Sequence, residues 1–371
     1  VKKVLKEGFF EVAMENSASP DILNHLNNTV LGTPGRIRYQ FSGITEKLSF
    51  IKECYYITLR KGDNLLGTIG FVRRLTLNQG KAYNSWYIRY FSIKAPLRAK
   101  KQKDAPRKKR QSSHMDNIFK SLPAGYFDNP NLFLGETSPV PGTLIYATVE
   151  KDNIRSQQFT GIVGFESARE FCSVSYSRTR LKMHDNITRI NEIEKPAILE
   201  VLRSFYKDHT LFTTDNIFYN NNYFVYRDGR EIIAGLQANP ETWRIVEMPG
   251  LNGWLLLNIL PVVPGISSFY NPKAVRFIGV EGFFYKEGYE DRIIPLIETA
   301  MAIHNAHFAL TWLDTGSPVF HMLETLGNYG NLTRFISRVP ADTKIKFIGY
   351  TEEEKKIFYN SPAYFSCFDM T

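Results

Sequence analysis

Apolar residues along the chain fall into short alternating runs, broken at intervals by helical stripes. The run Phe9 to Met14 reads as a strand. Ser19-Pro20-Asp21 then supplies an N-cap with proline at the first helical position, opening a helix through Leu23 and Leu26. The Pro/Gly segment from Gly32 to Gly35 breaks it, and a strand over 36–41 and a helix over 46–53 lead to a hairpin, 55–60 and 65–74. Strands follow at 86–95, 143–149 and 165–177, with a short helix near 113–122 and another from Asp152 to Gly164. A second series then begins. Pro196 opens a helix with the stripe Ile198, Leu199, Leu202 and Phe205, followed by a hairpin at 222–237. A Pro/Gly-rich insertion is expected at 239–272, then strand 275–284, helix 289–305 on the face Ile293, Ile297, Ala300 and Met301, strand 308–313, a short helix at 319–326 and C-terminal strands.

The two series repeat each other. Residues 56–66 align without a gap on 223–233, placing Tyr56, Arg60 and Gly62 on Tyr223, Arg227 and Gly229. Downstream, the run starting at Arg89 is matched with that at Arg276, and the run at Tyr146 with that at Phe308. Preserved order predicts an α/β protein with two like domains, 1–182 and 190–371. The length of 371 residues suits that division.

Composition narrows the class. With 43% hydrophobic and 22% charged residues the chain can bury two cores. The cysteines Cys54, Cys172 and Cys367 are widely spaced, which argues against a zinc site or disulfide framework and fits a reducing cytoplasm. The most apolar run, 254–263, is too short to span a bilayer, so a soluble, cytoplasmic protein without membrane partners is expected. The net charge of +9 is local: nine of the basic residues and a single acid, Asp104, lie between Lys94 and Arg110. That cluster reads as a solvated loop, a nucleic-acid patch or a phosphate-binding loop; without interleaved aromatics, nucleic acid is the least favoured partner. Walker-type, zincin and nucleophile-elbow signatures are absent from the sequence.

Asn153, Ser156, the pair Phe159-Thr160 and the pair Gly164-Phe165 carry the spacing of the last motif of the GNAT superfamily of N-acetyltransferases, and Pro34 to Arg38 resembles the segment before the first hairpin in its tandem members. The resemblance implies a mixed α+β sheet in two tandem GNAT-like domains. It implies acetyl-coenzyme A or a related acyl-coenzyme A as co-substrate, no metal, and a small-molecule or peptide amine as acceptor. By the same resemblance, the backbone of Ile93 and Ala95 would bind the pantetheine arm. Arg107, Lys108, Lys109, Arg110, Gln111 and Ser112 would surround the phosphates, and Asn153 would face the cofactor. The first half holds the cations but lacks the family's glycine signature between Gly80 and Gly125; the second keeps Gly288 among the carboxylates Glu287, Glu290 and Asp291. Family members commonly use a tyrosine acid where Thr160 stands. Glu281 is the candidate base, with Glu150 and Asp152 as alternatives; each is otherwise read as a surface carboxylate, and His304 and His321 as packing or surface groups. Three functions stay open: an N-acyltransferase, a non-catalytic coenzyme A or ligand binder, and a nucleic-acid-associated protein.

Overall fold

The computed structural model describes residues 4–7, 9–93, 124–267, 270–331, 333 and 338–370. Among these, fourteen strands belong to one mixed sheet. Its first flank runs β1 (Val4–Glu7), β2 (Phe10–Glu15), β4 (Cys54–Lys61), β5 (Asn64–Asn78), β6 (Lys81–Ile93) and β7 (Thr143–Glu150). The other flank, from the far edge inward, runs β9 (Ile187–Arg189), β10 (Tyr223–Asp228), β11 (Glu231–Glu247), β12 (Val275–Tyr285) and β13 (Phe308–Asp314). Two strands join the flanks at the centre. β14 (Pro340–Ile348), late in the chain, pairs with β7, while β8 (Glu166–Ser177) of the first half pairs with β13. β14 and β8 also pair with each other, all antiparallel. Each series thus gives its last strand to the other. β3 (Arg38–Ser42) likewise crosses over and pairs with the far end of β11.

The repeated hairpin is reproduced in register. Pairing slips at Leu59/Arg60 in β4 and at Tyr226/Arg227 in β10, and the turn glycines Gly62 and Gly229 hold φ of 56° and 58°. A left-handed backbone is what glycine supplies there. The downstream matches shift. Gly70 faces Arg89 as Gln237 faces Glu281, so Arg89 corresponds to Glu281, five residues beyond Arg276. The following residues, Tyr90 and Gly282, both have φ of 56° and form a bulge at the same place. Likewise Tyr87 pairs with Tyr146 as Gly279 pairs with Leu310, so Tyr146 corresponds to Leu310 rather than Phe308. That slip of two keeps the side-chain face and leaves the pattern looking right.

The helices α1 (Pro20–Asn27), α2 (Ile44–Phe50), α4 (Ile154–Ile162), α5 (Lys195–Phe205), α7 (Ile293–Ile303) and α8 (Pro318–Leu326) stand near their expected places, with the short α3 at Ala124–Asp128. The expected α7 face, Ile293, Ile297, Ala300 and Met301, is buried. The helix expected near 113–122 lies outside the described residues. Two expectations are corrected. Residues 239–247 are not an insertion but the continuation of β11, and α6 (Gly250–Asn258) follows. Pro240 is tolerated because that edge of β11 changes partner there, from β10, which ends at Gln237, to β3, which starts at Thr242. Ala238 donates its N–H to Asn222 on that edge, and two residues on the missing N–H points the same way, where no strand waits. At the other end, a single strand is followed by α9 (Glu352–Asn360), started by a capping box between Thr351 and Glu354.

Candidate functional site

β6 and β7 are parallel neighbours only at Ser85–Tyr87 against Leu144–Tyr146. Beyond Tyr87 they part, while β6 stays paired with β5 as far as Ile93 opposite Gly67. Among the described residues no strand pairs with that edge of β6 beyond Tyr87, which leaves a strand edge along which an extended ligand arm could lie. The gap opens into a cavity of about 460 Å³ lined by Ile88 to Ser92, Ala147 to Glu150 and the start of α4. Asn153 caps that helix, its side chain accepting from the Ser156 N–H at 3.2 Å. The segment 29–37 forms another wall. It is tied across the gap by the Thr33 hydroxyl, which donates to Glu150, and by Arg36, whose Nε lies 3.0 Å from Asp152.

The corresponding gap in the second series is closed. β12 and β13 pair only at Ile278–Gly279 against Ala309–Leu310, then separate. Residues 363–370 fill the space and are all buried. The Phe368 N–H donates to Glu281 at 3.1 Å, and the Trp312 N–H to Cys367 Sγ at 3.2 Å. What remains is a cavity of about 10 Å³ beside Glu281, Thr311 and Tyr364, enough for one water.

Glu281 is 2% exposed and accepts from Asn239 Nδ2 (2.5 Å), the Tyr364 hydroxyl (3.1 Å) and Phe368 N. Burial, aided by the charge of Asp369, pushes its pKa up to about 7. Asp369 behaves oppositely. Burial alone would raise it, but Arg74, bidentate at 2.6 and 2.7 Å, and Arg89, at 3.2 Å, outweigh burial and hold the carboxyl below its usual range. A second buried pair, Lys47 and Glu241 at 2.5 Å, sits nearby, and burial presses both partners toward neutrality.

The expected site residues are thus divided. Asn153 and Glu150 line the first gap, and Ile93 ends the strand that borders it. Ala95 and Arg107, Lys108, Lys109, Arg110, Gln111 and Ser112 lie outside the described residues. Glu281 lies in the closed second gap and does not line the large cavity. Nor is it a surface carboxylate. Asp152 is half-exposed and paired with Arg36. Thr160 lines the cavity, but its hydroxyl donates to the Ser156 and Gln157 carbonyls, 3.0 Å each. His304 is partly buried, which lowers it to about 4 and keeps it neutral, and His321 is exposed. Sequence reasoning missed the wall at 29–37, although it flagged Pro34 to Arg38, and missed the plug at 363–370, whose apolar run gives no hint of where it docks.

A second cavity, about 450 Å³, lies under α6. Among the described residues its walls carry no charged side chain, and it shares Ile37, Ser175, Trp243 and Leu310 with the first. No described helix is long and apolar enough to cross a membrane, and no described cluster of three or more His, Cys, Asp or Glu could hold a metal.

No protein-family model matches the sequence. No curated protein matches it either. Solved structures do match in shape. Saccharomyces cerevisiae N-myristoyltransferase with bound myristoyl-coenzyme A superposes with a TM-score of 0.56 at 10% identity, over 95% of this chain and 88% of that one. A further structure of that enzyme with myristoyl-coenzyme A gives 0.56 at 10%, over 96% and 85%. A third, with myristoyl-coenzyme A and inhibitors, gives 0.55 at 9%, over 96% and 86%. At such identities the likeness speaks for architecture alone. The chain has the mixed α/β fold of those N-myristoyltransferase structures, with two like halves that share one sheet.

Proposed function

We propose that the protein is an acyltransferase that moves an acyl group from acyl-coenzyme A to an amine on a small molecule or peptide. The observation that carries this reading is the gap where β6 and β7 part beyond Tyr87, with its large cavity, a bulge at Tyr90 and a capped helix start at Asn153. The chain divides in this reading into units 1–182 and 190–371 that trade their last strands, and only the first holds the cofactor. The pantetheine arm runs along β6 toward Ile93 and Ala95. The 3′-phosphate and pyrophosphate meet Arg107 to Ser112, and acetyl-coenzyme A is the smallest donor. Replacing Arg107 to Arg110 by serine should weaken coenzyme A binding and flatten its salt dependence, as lost cations remove screened phosphate contacts. Titration checks this, and unchanged affinity removes the phosphate role from that segment. Coenzyme A at a hundredfold over its Kd should raise stability by about 2.7 kcal/mol, readable as a melting shift.

In the reaction the amine nitrogen attacks the thioester carbonyl, a C–N bond forms, and the C–S bond breaks to release a thiolate. That thiolate, whose thiol has a pKa of about 8.5, leaves without strong acid help, so Thr160 is tolerable where a tyrosine is common. The amine's proton needs an acceptor. Asp369 faces the cavity but is a weak base, because two arginines hold it ionised. Glu281, at about 7, has the basicity the task calls for near neutral pH. It is reached indirectly. Another small cavity of about 10 Å³ touches both Tyr364 and Asp369, so water and the Tyr364 hydroxyl can pass the proton on. Glu281→Gln should cut turnover of acyl-coenzyme A with an amine panel at least tenfold (about 1.4 kcal/mol), leave coenzyme A affinity intact, and abolish a rise in rate through pH 7. Full activity in the variant dismisses Glu281. The second reading, a non-catalytic coenzyme A binder, is favoured by the inward-bonded Thr160 hydroxyl, and it gains if coenzyme A binds but no amine is acylated.

A further inference from the structure

We propose that the apolar cavity under α6 is an aliphatic-chain site continuous with the β6–β7 gap, holding the hydrocarbon tail of one of the two reactants. The proposed function enters only in deciding which reactant carries the tail. The floor is one face of the β8–β13 ladder. Trp312 opposite Ser173, Leu310 opposite Ser175 and Phe308 opposite Ser177 are successive rungs on that face, roughly 7 Å apart. The first rung lines the large cavity, the second lines both, and Phe308 lines the apolar one. A chain can therefore lie across an unbroken surface from the reacting end of the gap into the second cavity.

The passage is flanked by Trp243, which also lines both. Its indole stacks on Tyr39 (centroids 3.8 Å, planes 13° apart) and takes the edge of Phe277 at 4.6 Å. Those contacts fix the ring as a wall rather than leaving it to swing across the opening. α6 roofs the space with Leu255 and Leu256, joined by Ile259 just past its end. With no charge among the described lining residues, a polar ligand would lose its hydration with little return there, whereas a hydrocarbon gains from every buried carbon. Burying one methylene is worth roughly fourfold in affinity. The tail belongs either to the acyl group of the thioester or to an alkyl portion beside the acceptor amine.

Titration of the full chain with two homologous series separates these: acetyl-, octanoyl- and myristoyl-coenzyme A, and butyl-, octyl- and tetradecylamine. Affinity should rise steeply with length in one series, and that series names the source. Leu256→Trp, which fills the half-buried roof, and Leu256→Asp, which puts a charge into it, should flatten the rise while leaving affinity for coenzyme A itself unchanged. Because Leu256 lies on a surface helix, circular dichroism and melting of both variants should match the parent. Affinity independent of length in both series, or a rise untouched by both variants, overturns the proposal. If coenzyme A does not bind but the alkylamine rise persists and needs Leu256, the chain site stands and the cofactor reading falls.

Discussion

Glu281→Gln is expected to make the protein more stable at pH 8, by about 3 kcal/mol, while changing little at pH 5. The sign follows from the direction of the shift. The folded-state pKa is raised to about 7, so the folded protein binds this proton more tightly than the unfolded chain does. The stabilising protonated form is fully present below the unfolded value and is lost as pH climbs through 7. Above that, an ionised carboxylate sits away from bulk solvent. Glutamine mimics the protonated acid. Its oxygen can keep the bonds from Asn239 and the Phe368 N–H, and its amide can face Tyr364. Urea midpoints of both proteins at the two pH values measure the effect. Equal midpoints at pH 8 would mean that bulk solvent or a counter-charge offsets the burial of Glu281, and the argument for its basicity would go with them. A wild-type protein that carries such a cost at working pH has kept it against stability, which is how an ionisable group retained for proton transfer behaves.

How much of this was readable beforehand depends on whether the information was local. The hairpins were readable because Tyr56 and Tyr223, with the glycines behind them, mark a turn type within a dozen residues. The bulge was not. Tyr90 and Gly282 share a backbone conformation but no side-chain chemistry, so a match by residue type settled on Arg276 instead. The interlocking of β8 and β14 is a pairing between segments far apart in sequence, and alternation along each strand is blind to the partner. The same holds for residues 363–370, whose apolar character predicts burial but not that they would stop the second gap. Asn153 was legible because a helix start and its cap lie within four residues. Glu281 was chosen for its strand, which holds, but its seclusion was invisible until the plug was placed beside it.

That plug is anchored by charge, and this gives the last prediction. Asp369→Asn should cost about 3–5 kcal/mol at pH 7, because it leaves Arg74 and Arg89 buried with their shared carboxylate gone. The loss is not the worth of one ion pair but the cost of two cations kept from water. Exposure sets the contrast: Arg36→Gln, which removes the half-exposed partner of Asp152, should cost no more than about 1 kcal/mol. The effect also has a pH signature. Since the carboxyl of Asp369 is held below its usual value of 3.8, its contribution is complete above that pH and fades as acid drives it through its lowered folded value. The gap between parent and variant should therefore be widest near neutrality and close in strong acid. Denaturant midpoints across that range test it, and a variant matching the parent at pH 7 would show that residues 363–370 are held without help from the Arg74–Asp369–Arg89 cluster. A lasting gap is expected instead, with the second cleft losing its stopper: coenzyme A should then stabilise the variant no more than the parent, because the first cleft, which already opens into the large cavity, remains its place.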